Sequence, residues 1–415
     1  MVAARALTVA ERPDWRWWVT PKNLRGKSIH RWYVFPHSFT DDLVHALMAE
    51  WGLGPDDHIL DPFIGAGTTL LAAKAKGISA TGYDLSPLAV MAARTKVVDY
   101  DTQALRLTWD KLGATIERAE WSQPTRPYPQ LVQDALPGRL LAVFEGIALA
   151  IEESCEDSAQ RDFFTLALIG ILPEYSHAVA TGGWLKWAHD RPRDGSGVTT
   201  SMKARVEMML DDLESTPTTR APGEWSATEA DARLLPDKAP KYSAVITSPP
   251  YPNRHDYTRV FGVELMFSFL DWEQTRQLRY QTLHSHPEAR PTRPPVADYV
   301  VPQRLKESLA KISGKGKDAR VSSLVEGYFL DMHLCLREMS RVCLPGAKIA
   351  LVVGNVQYYG EPILVDELMG EIGERLGLAC ESILAARYRG NSAQQMGRLG
   401  IRPSRESIVV FRKPT

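Results

Sequence analysis

Cysteine is scarce. The chain has 415 residues and four cysteines, at 155, 335, 343 and 380, with no two spaced as CxxC. A disulfide scaffold and a zinc ribbon are therefore excluded, and a reducing, cytoplasmic setting is the simplest expectation. The ten histidines contain no HExxH pair, and only His284 and His286 lie close together; no metal is expected. Long apolar runs are also missing. The longest, Phe163 to Leu172, spans ten residues and is interrupted by Thr165 and Gly170, whereas a bilayer crossing needs about 20. Met1 to Arg12 lacks the apolar core of a secretion signal. Neither charge sign dominates: 49 Lys and Arg against 50 Asp and Glu leave a formal charge of −1. That rules out a histone-like, wholly basic protein, although a single positive face would still suffice for nucleic acid. Gly (29) and Pro (28) stand near average usage, which excludes low-complexity and collagen-like chains.

What remains is an ordinary globular composition with ample apolar material for a large core. The segment HILDPF (58–63) reads as a buried strand, TTLLAAKAKG (68–77) as a helix closed by Gly77, and SATGYDL (79–85) as a second strand. A second helix, 86–97, starts with Ser86 as cap and Pro87 at its first position. This rhythm opens a doubly wound α/β sheet. Three regions are expected. Residues 1–99 hold an N-terminal segment and the first half of the core. Residues 100–222 form a helical insertion or small subdomain, with a Gly182-Gly183-Trp184 turn. Residues 223–415 complete the core. In that last part, 224–233, 242–251, 347–355, 379–389 and 407–413 read as strands, and 259–272, 323–346 and 361–377 as helices. The charged, proline-bearing stretch at about 273–320 reads as a mobile or extended basic insertion.

Two motifs carry chemistry. The first is Asp61-Pro62-Phe63-Ile64-Gly65-Ala66-Gly67-Thr68-Thr69, between the first strand and the first helix. Its glycines permit a sharp turn and close approach of a ligand to main-chain atoms. The helix start behind them offers free N–H groups. Asp84, at the end of the next strand, is placed to take both hydroxyls of a ribose. A dinucleotide fingerprint would need glycine where Leu70 stands, and a P-loop would need Gly-Lys-Ser/Thr; both are absent. A purely structural turn remains open for this motif taken alone. The second motif is Ser248-Pro249-Pro250-Tyr251, closing the strand-like AVIT. Two prolines cannot serve a sheet ladder, so the strand ends there in a rigid corner. Ser248 and the Pro249 carbonyl offer two acceptors, and Tyr251 offers a flat π face. An exocyclic amino group on a base is a poor nucleophile, because its lone pair is delocalised into the ring. Two acceptors on its hydrogens draw the nitrogen toward tetrahedral geometry, and a stacked ring holds the base.

Together, DPFxGxGTT, the acidic second strand and SPPY resemble the S-adenosylmethionine-dependent amino-methyltransferases of DNA, the cytosine-N4 and adenine-N6 enzymes. The resemblance covers roughly 30–98 and 224–413. It implies a Rossmann-like seven-stranded methyltransferase sheet with a helical insertion. It implies S-adenosylmethionine as cofactor, with Asp61, Pro62, Phe63, Gly65, Gly67 and Thr68 around its methionine part and Asp84 on its ribose. Asp231 matches the position that meets the adenine amino group, or is a solvated loop acid. His37, Ser38 and Phe39 precede the core as a further cofactor-contacting segment, or as the start of a packing helix. Ser at 248, rather than Asp or Asn, is typical of cytosine-N4 enzymes. SPPY follows the glycine turn here, whereas many relatives carry it first, so the chain looks circularly permuted.

The implied substrate is DNA, with the target base extruded, and a restriction nuclease is a possible companion. Asn253 and Asp256 either read base edges or hold their loop, Asp256 as a helix cap, and Arg254 can take a phosphate. Residues 12–31 carry six Lys and Arg against Asp14, 276–320 carry ten against four acids, and 387–413 carry seven, Arg389 and Arg402 among them, against Glu406. These blocks form a phosphate track or are solvated loops. Asn391, Gln394 and Gln395 are amides able to read bases. Three alternatives stand beside this reading: an adenine-N6 enzyme, an RNA base amino-methyltransferase and a non-catalytic nucleic-acid-binding subunit. Only about 30 residues precede the core, which disfavours an RNA enzyme with an added N-terminal domain. The intact motifs disfavour a decayed subunit.

Overall fold

The computed structural model describes residues 8–216, 223–294, 296–315, 320–389 and 404–415. The strands are β1 (Val9–Glu11), β2 (His58–Asp61), β3 (Ser79–Asp84), β4 (Ala178–Thr181), β5 (Trp184–Trp187) and β6 (Trp225–Glu229). They continue as β7 (Tyr242–Thr247), β8 (Cys343–Gly354), β9 (Val356–Tyr358), β10 (Glu361–Ile363), β11 (Ala379–Arg389) and β12 (Ser404–Arg412). Eight of them make one sheet in the order β1-β11-β12-β8-β7-β2-β3-β6. All its pairings are parallel except those of β12, which runs antiparallel to both neighbours. The sheet is thus the expected Rossmann-like one, widened by one strand. Val9–Glu11 adds itself parallel to β11 at the edge, and three residues are too few to show a period in the sequence.

The chain runs outward from β2 through β3 to β6, then returns to lay β7 on the other side of β2. The carboxyl ends of β2 and β7 therefore flank the point where the winding reverses, and such sheets open a crevice there. Buried runs such as Ile59–Leu60 and Ala244–Ile246 explain the central strands, because parallel strands are covered on both faces. One face packs on the helices Asp41–Trp51 and Thr68–Lys74 through Leu43, Leu47, Leu70 and Ile246. The other packs on Arg320–Val342 and Val365–Arg375 through Phe329, Met332, Leu351 and Met369.

Between residues 100 and 216 the chain is mainly helical, with helices Thr102–Arg118, Gln130–Ala135, Arg139–Ser154, Ser158–Tyr175 and Val198–Ser215. It also carries a two-residue hairpin, β4–β5, where the sequence suggested only a turn. Its apolar cluster takes in Ile29, Trp32 and Tyr33 from the N-terminal segment and Phe261 to Phe267 from beyond SPPY. Asp212, 1% exposed, fastens this union. It accepts hydrogen bonds from the Ile29 amide (3.0 Å), Arg31 Nε (2.9 Å) and Trp32 Nε1 (3.0 Å).

Several expectations are corrected. The helix expected over 259–272 is three pieces, Tyr257–Val260, Gly262–Ser268 and Trp272–Gln281, the last opened by an Asp271–Gln274 capping box. The basic insertion is not extended throughout, since Trp272–Gln281 and Gln303–Lys315 are helical. The long helix stops at Val342 rather than near Gly346, because Pro345 cannot donate within a helix and the chain enters β8. The helix expected from 361 begins at Val365, after the β9–β10 hairpin that contains Pro362. All four cysteines are buried free thiols. No described helix is long and apolar enough to cross a membrane.

Candidate active site

Asp61 ends β2 and Thr247 ends β7, and the two meet. The Asp61 carboxylate, 2% exposed, accepts from Thr247 Oγ1 (2.6 Å), Thr69 Oγ1 (2.7 Å) and the Phe63 amide (3.1 Å). Burial pushes its pKa up to about 6 against the pull of these donors. One side chain thus locks the glycine turn, the following helix and the strand that leads into Ser248. Asp61 thus positions the turn, with Oδ1 taking two donors and Oδ2 one.

The turn itself is held from two sides. Gly65 has φ +50° and donates its N–H to Asp84 Oδ2 (3.1 Å), while the Ser86 amide binds Asp84 Oδ1 (3.0 Å). Each Asp84 oxygen keeps a second lone-pair direction for a ligand hydroxyl. Lys96 lies beneath the turn, buried, and donates to the carbonyls of Ala66 (2.8 Å) and Tyr33 (2.6 Å). Burial lowers its pKa to about 7. Nothing local in MAARTKV marks this lysine as internal; a charged residue in an otherwise apolar helix was the only available signal.

Gly67 serves packing. Its φ is +83°, and a Cβ there would come within 2.8 Å of Ala93 Cα. Gly67→Ala combines a left-handed backbone with overpacking against a neighbouring helix. It is expected to cost about 2–4 kcal/mol, to be read as a lowered denaturation midpoint in urea.

A single cavity unites the two motifs. It is lined by Ser38, Phe39, Asp61, Pro62, Phe63, Gly65, Thr68 and Asp84 from the first half and by Ser248, Pro249, Pro250 and Tyr251 from the second. Residues that the sequence did not single out complete it, notably Phe35, Phe261, Thr282, Leu283 and Ser285, and His286 joins them. Ser38 Oγ lies 3.2 Å from Thr68 Oγ1, so the N-terminal segment touches the turn. Gly67 and Asp231 are not in the wall. Asp231 is bound by Arg233 (Nη2 to Oδ2, 2.6 Å), while its neighbours Ala230 and Ala232 line the cavity. The lining fits S-adenosylmethionine: aromatic and aliphatic walls for an adenine, a carboxylate with spare acceptors for a ribose, and acidic and aromatic groups toward a sulfonium.

A smaller cavity adjoins the first. It shares His37, Ser38, Phe39, Ser248 and Tyr251 with it and adds Arg387, Arg389 and Glu406. Ser248 Oγ donates to the Val352 carbonyl (3.1 Å), which fixes the hydroxyl and leaves its lone pairs for a guest. The Tyr251 ring is pressed on Gly354, where a Cβ would approach it to 2.8 Å, and Arg389 lies 6.0 Å over its face. Arg389 also pairs with the buried Glu406 at 3.1 Å. His37 and His255 meet edge to face at 4.3 Å, and burial lowers the pKa of both, His37 to about 4.

The remaining expected contacts divide. Arg254 is exposed, with φ +69°. Asn253 Oδ1 accepts from the His255 amide (3.1 Å) and so holds its loop. Asp256 is a buried helix cap that accepts from the Arg259 amide (3.1 Å) and pairs with Arg279 (2.9 Å), so it cannot read a base edge as it stands. Arg402, Asn391, Gln394 and Gln395 lie outside the described residues. The basic blocks are largely neutralised internally: Lys27 by Asp41, Arg31 by Asp212, Arg293 by Asp331, Arg304 by Glu367 and Lys311 by Glu361. Among the described residues, these arginines and lysines are therefore tied to carboxylates of the protein itself.

No family model matches the chain. It is 28% identical over 465 residues to Type II methyltransferase M.BsoBI of Geobacillus stearothermophilus, covering 94% of this chain and 86% of that one. It is 27% identical over 431 residues to Type II methyltransferase M.AvaI of Anabaena variabilis, covering 94% and 87%. A shorter stretch, 95 residues at 36% identity, matches Type II methyltransferase M.MjaII of Methanocaldococcus jannaschii and covers 22% of this chain and 18% of that one. Among solved structures, a SAM-dependent methyltransferase from Methanosarcina mazei aligns at 8% identity and a TM-score of 0.32, over 89% of this chain and 97% of that one. The protein is similar to Type II methyltransferases. Its similarity to the two Type II enzymes runs through nearly its whole length.

Proposed function

We propose that the protein is a site-specific DNA methyltransferase that transfers a methyl group to the exocyclic amino group of an extruded base, with cytosine N4 as its target. The observation that carries this reading is the shared cavity, in which the Ser248–Tyr251 corner faces the Gly65 turn and Asp84. S-adenosylmethionine supplies an electrophilic methyl on a cationic sulfur, so no strong base is required. Asp84 receives the ribose hydroxyls, and the Phe63–Gly65 main chain lies along the methionine part. Ser248 Oγ and the Pro249 carbonyl accept the two amino hydrogens and turn the nitrogen lone pair toward the methyl. Tyr251 stacks the base. The proton released after transfer leaves from an amino group already bound to these two oxygens.

Cytosine is favoured by two features. Ser248 is the residue that cytosine-N4 enzymes typically carry. Arg389 stands beside Tyr251 in the smaller cavity. Next to its amino group cytosine presents two acceptors, N3 and O2, which match the paired donors of a guanidinium. Adenine presents one acceptor, N1, and then a C–H. Arg254, exposed next to the corner, is proposed to take a backbone phosphate, with Asn253 keeping its loop in shape. Arg402 is proposed as a further phosphate contact.

The test is to incubate unmethylated phage DNA with isotopically labelled cofactor, digest it to nucleosides and separate them by mass spectrometry. N4-methylcytosine at one short motif is the expected product. N6-methyladenine would overturn the choice of base. Label in tRNA but in no DNA would overturn the substrate.

A further inference from the structure

The β4–β5 hairpin, Ala178–Trp187, stands outside the main sheet and close to the mouth of the active site. It turns through Gly182 and Gly183, with Thr181 paired to Trp184 and Val179 to Lys186. Side chains alternate along a strand. Leu185 therefore faces inward, where it packs on the cluster formed by the helical region. Trp184 and Lys186 face outward. Trp184 is 66% exposed, more than Trp272 (55%), Trp17 (44%) or Trp187 (39%). An indole this open offers a flat apolar surface with a polar N–H edge to a partner.

The position of the hairpin indicates what does. A Cβ at Gly183 would lie 3.5 Å from His255, four residues beyond Tyr251. His255 packs on His37, which lines both the cofactor cavity and the smaller one. The Arg259 guanidinium lies 5.0 Å over the Trp184 ring, and Thr258, its neighbour in the chain, lines the cofactor cavity. The exposed indole thus lies under the Arg259 guanidinium and on the same strand face as Lys186, at the rim of the site that receives an extruded base.

We propose that Trp184 stacks in the duplex at the gap left by the target base, while Lys186 and Arg259 hold the flanking phosphates. This rests on the DNA reading above. The partner is double-stranded DNA rather than another protein, because the cationic rim is continuous with the base-receiving site and an indole matches a nucleobase in size and flatness. Extrusion costs unstacking energy. A side chain that refills the stack recovers part of it, and this matters most to the rate when the target starts out paired and extrusion is costly.

That condition supplies the test. Once the methylated motif has been mapped, two synthetic duplexes carry it, one with the target paired and one with the opposite base removed. Trp184→Ala is exposed enough to fold normally, and calorimetry with S-adenosylmethionine checks that its cofactor site is intact. On the paired duplex, kcat/KM is expected to fall about 5- to 150-fold, the range of one aromatic–base stack. On the duplex lacking the opposite base the loss is expected to be about threefold or less, since an unpaired target is cheap to extrude. Equal rates for variant and wild type on paired DNA, or equal losses on both duplexes, would overturn the proposal and leave the methyltransferase reading standing. A wild-type protein that modifies no duplex at all would remove both.

Discussion

Methyl transfer is expected to collapse when Ser248 and Tyr251 are both replaced by alanine, while S-adenosylmethionine continues to bind. Ser248→Ala removes one of two acceptors on the reacting amino group. Loss of one such preorganised polar group typically lowers kcat by about 10²–10³. Tyr251→Ala removes the stacking platform, a further 1–3 kcal/mol or so. If the effects add, the double variant falls by roughly 10³-fold or more. Asp84 and Gly65, proposed to hold the cofactor's ribose and methionine part, are untouched, so calorimetry should still register binding.

The Tyr251 ring is 8% exposed and packed on Gly354, so its removal also opens a hole in the fold. A large-to-small change of this kind costs about 3–5 kcal/mol. Two controls separate catalysis from folding. Ser248→Ala alone changes few packing atoms and should keep the wild-type denaturation midpoint while losing turnover. Tyr251→Phe keeps the π face and should retain most activity. A double variant that is folded and methylates within tenfold of wild type would remove the corner from the reaction.

The parts of this site that were legible in the sequence are those fixed by local backbone chemistry. Glycines and prolines restrict φ and hydrogen bonding within a few residues, so the 61–69 turn and the 248–251 corner were placed correctly at strand ends. Central strands were legible because buried parallel strands are nearly continuous apolar runs. The functions of individual charged residues were not legible, because their partners are distant in the chain. Asp61 was expected among the cofactor contacts and does line the cavity, yet its carboxylate is also tied to Thr69 and to Thr247, the latter 186 positions away. Asp231 was expected at an adenine amino group or as a solvated loop acid; Arg233, two residues on, binds it, and Arg233 is itself held by Asp331, 98 positions away. The basic stretch at 273–320 looked solvated for the same reason. Its arginines find carboxylates on other elements, and no local pattern announces such pairs.

Asp331 gives the second large effect. It is fully buried in the helix Arg320–Val342, and three N–H donors and an imidazole nitrogen meet its carboxylate. Oδ1 accepts from Arg233 Nη1 (3.2 Å) and Arg293 Nε (2.7 Å). Oδ2 takes the His284 amide (2.9 Å) and faces His284 Nδ1 (2.9 Å). Burial alone would raise its pKa, but the hydrogen bonds from His284 and Arg293 and the charges of Arg233 and Arg293 outweigh burial and hold it at about 2. Asp331→Ala would leave Arg233, 1% exposed, and Arg293 short of their shared anion. Breaking a buried pair in this way costs about 3–5 kcal/mol, visible as a lower urea midpoint at pH 7. The adjoining wall of the cofactor cavity, Leu283 to His286, should loosen with it, so S-adenosylmethionine should bind more weakly to the fraction that remains folded. The pH dependence has a defined sign. The folded pKa lies below the ordinary value of 3.8, so this carboxylate's contribution is complete above that value and is lost as the pH falls through 3.8 toward 2. The difference in unfolding free energy between wild type and Asp331→Asn should therefore shrink by roughly 2 kcal/mol between pH 6 and pH 2. A difference that stays constant across that range would mean that charge at Asp331 is not what binds the insertion to the core.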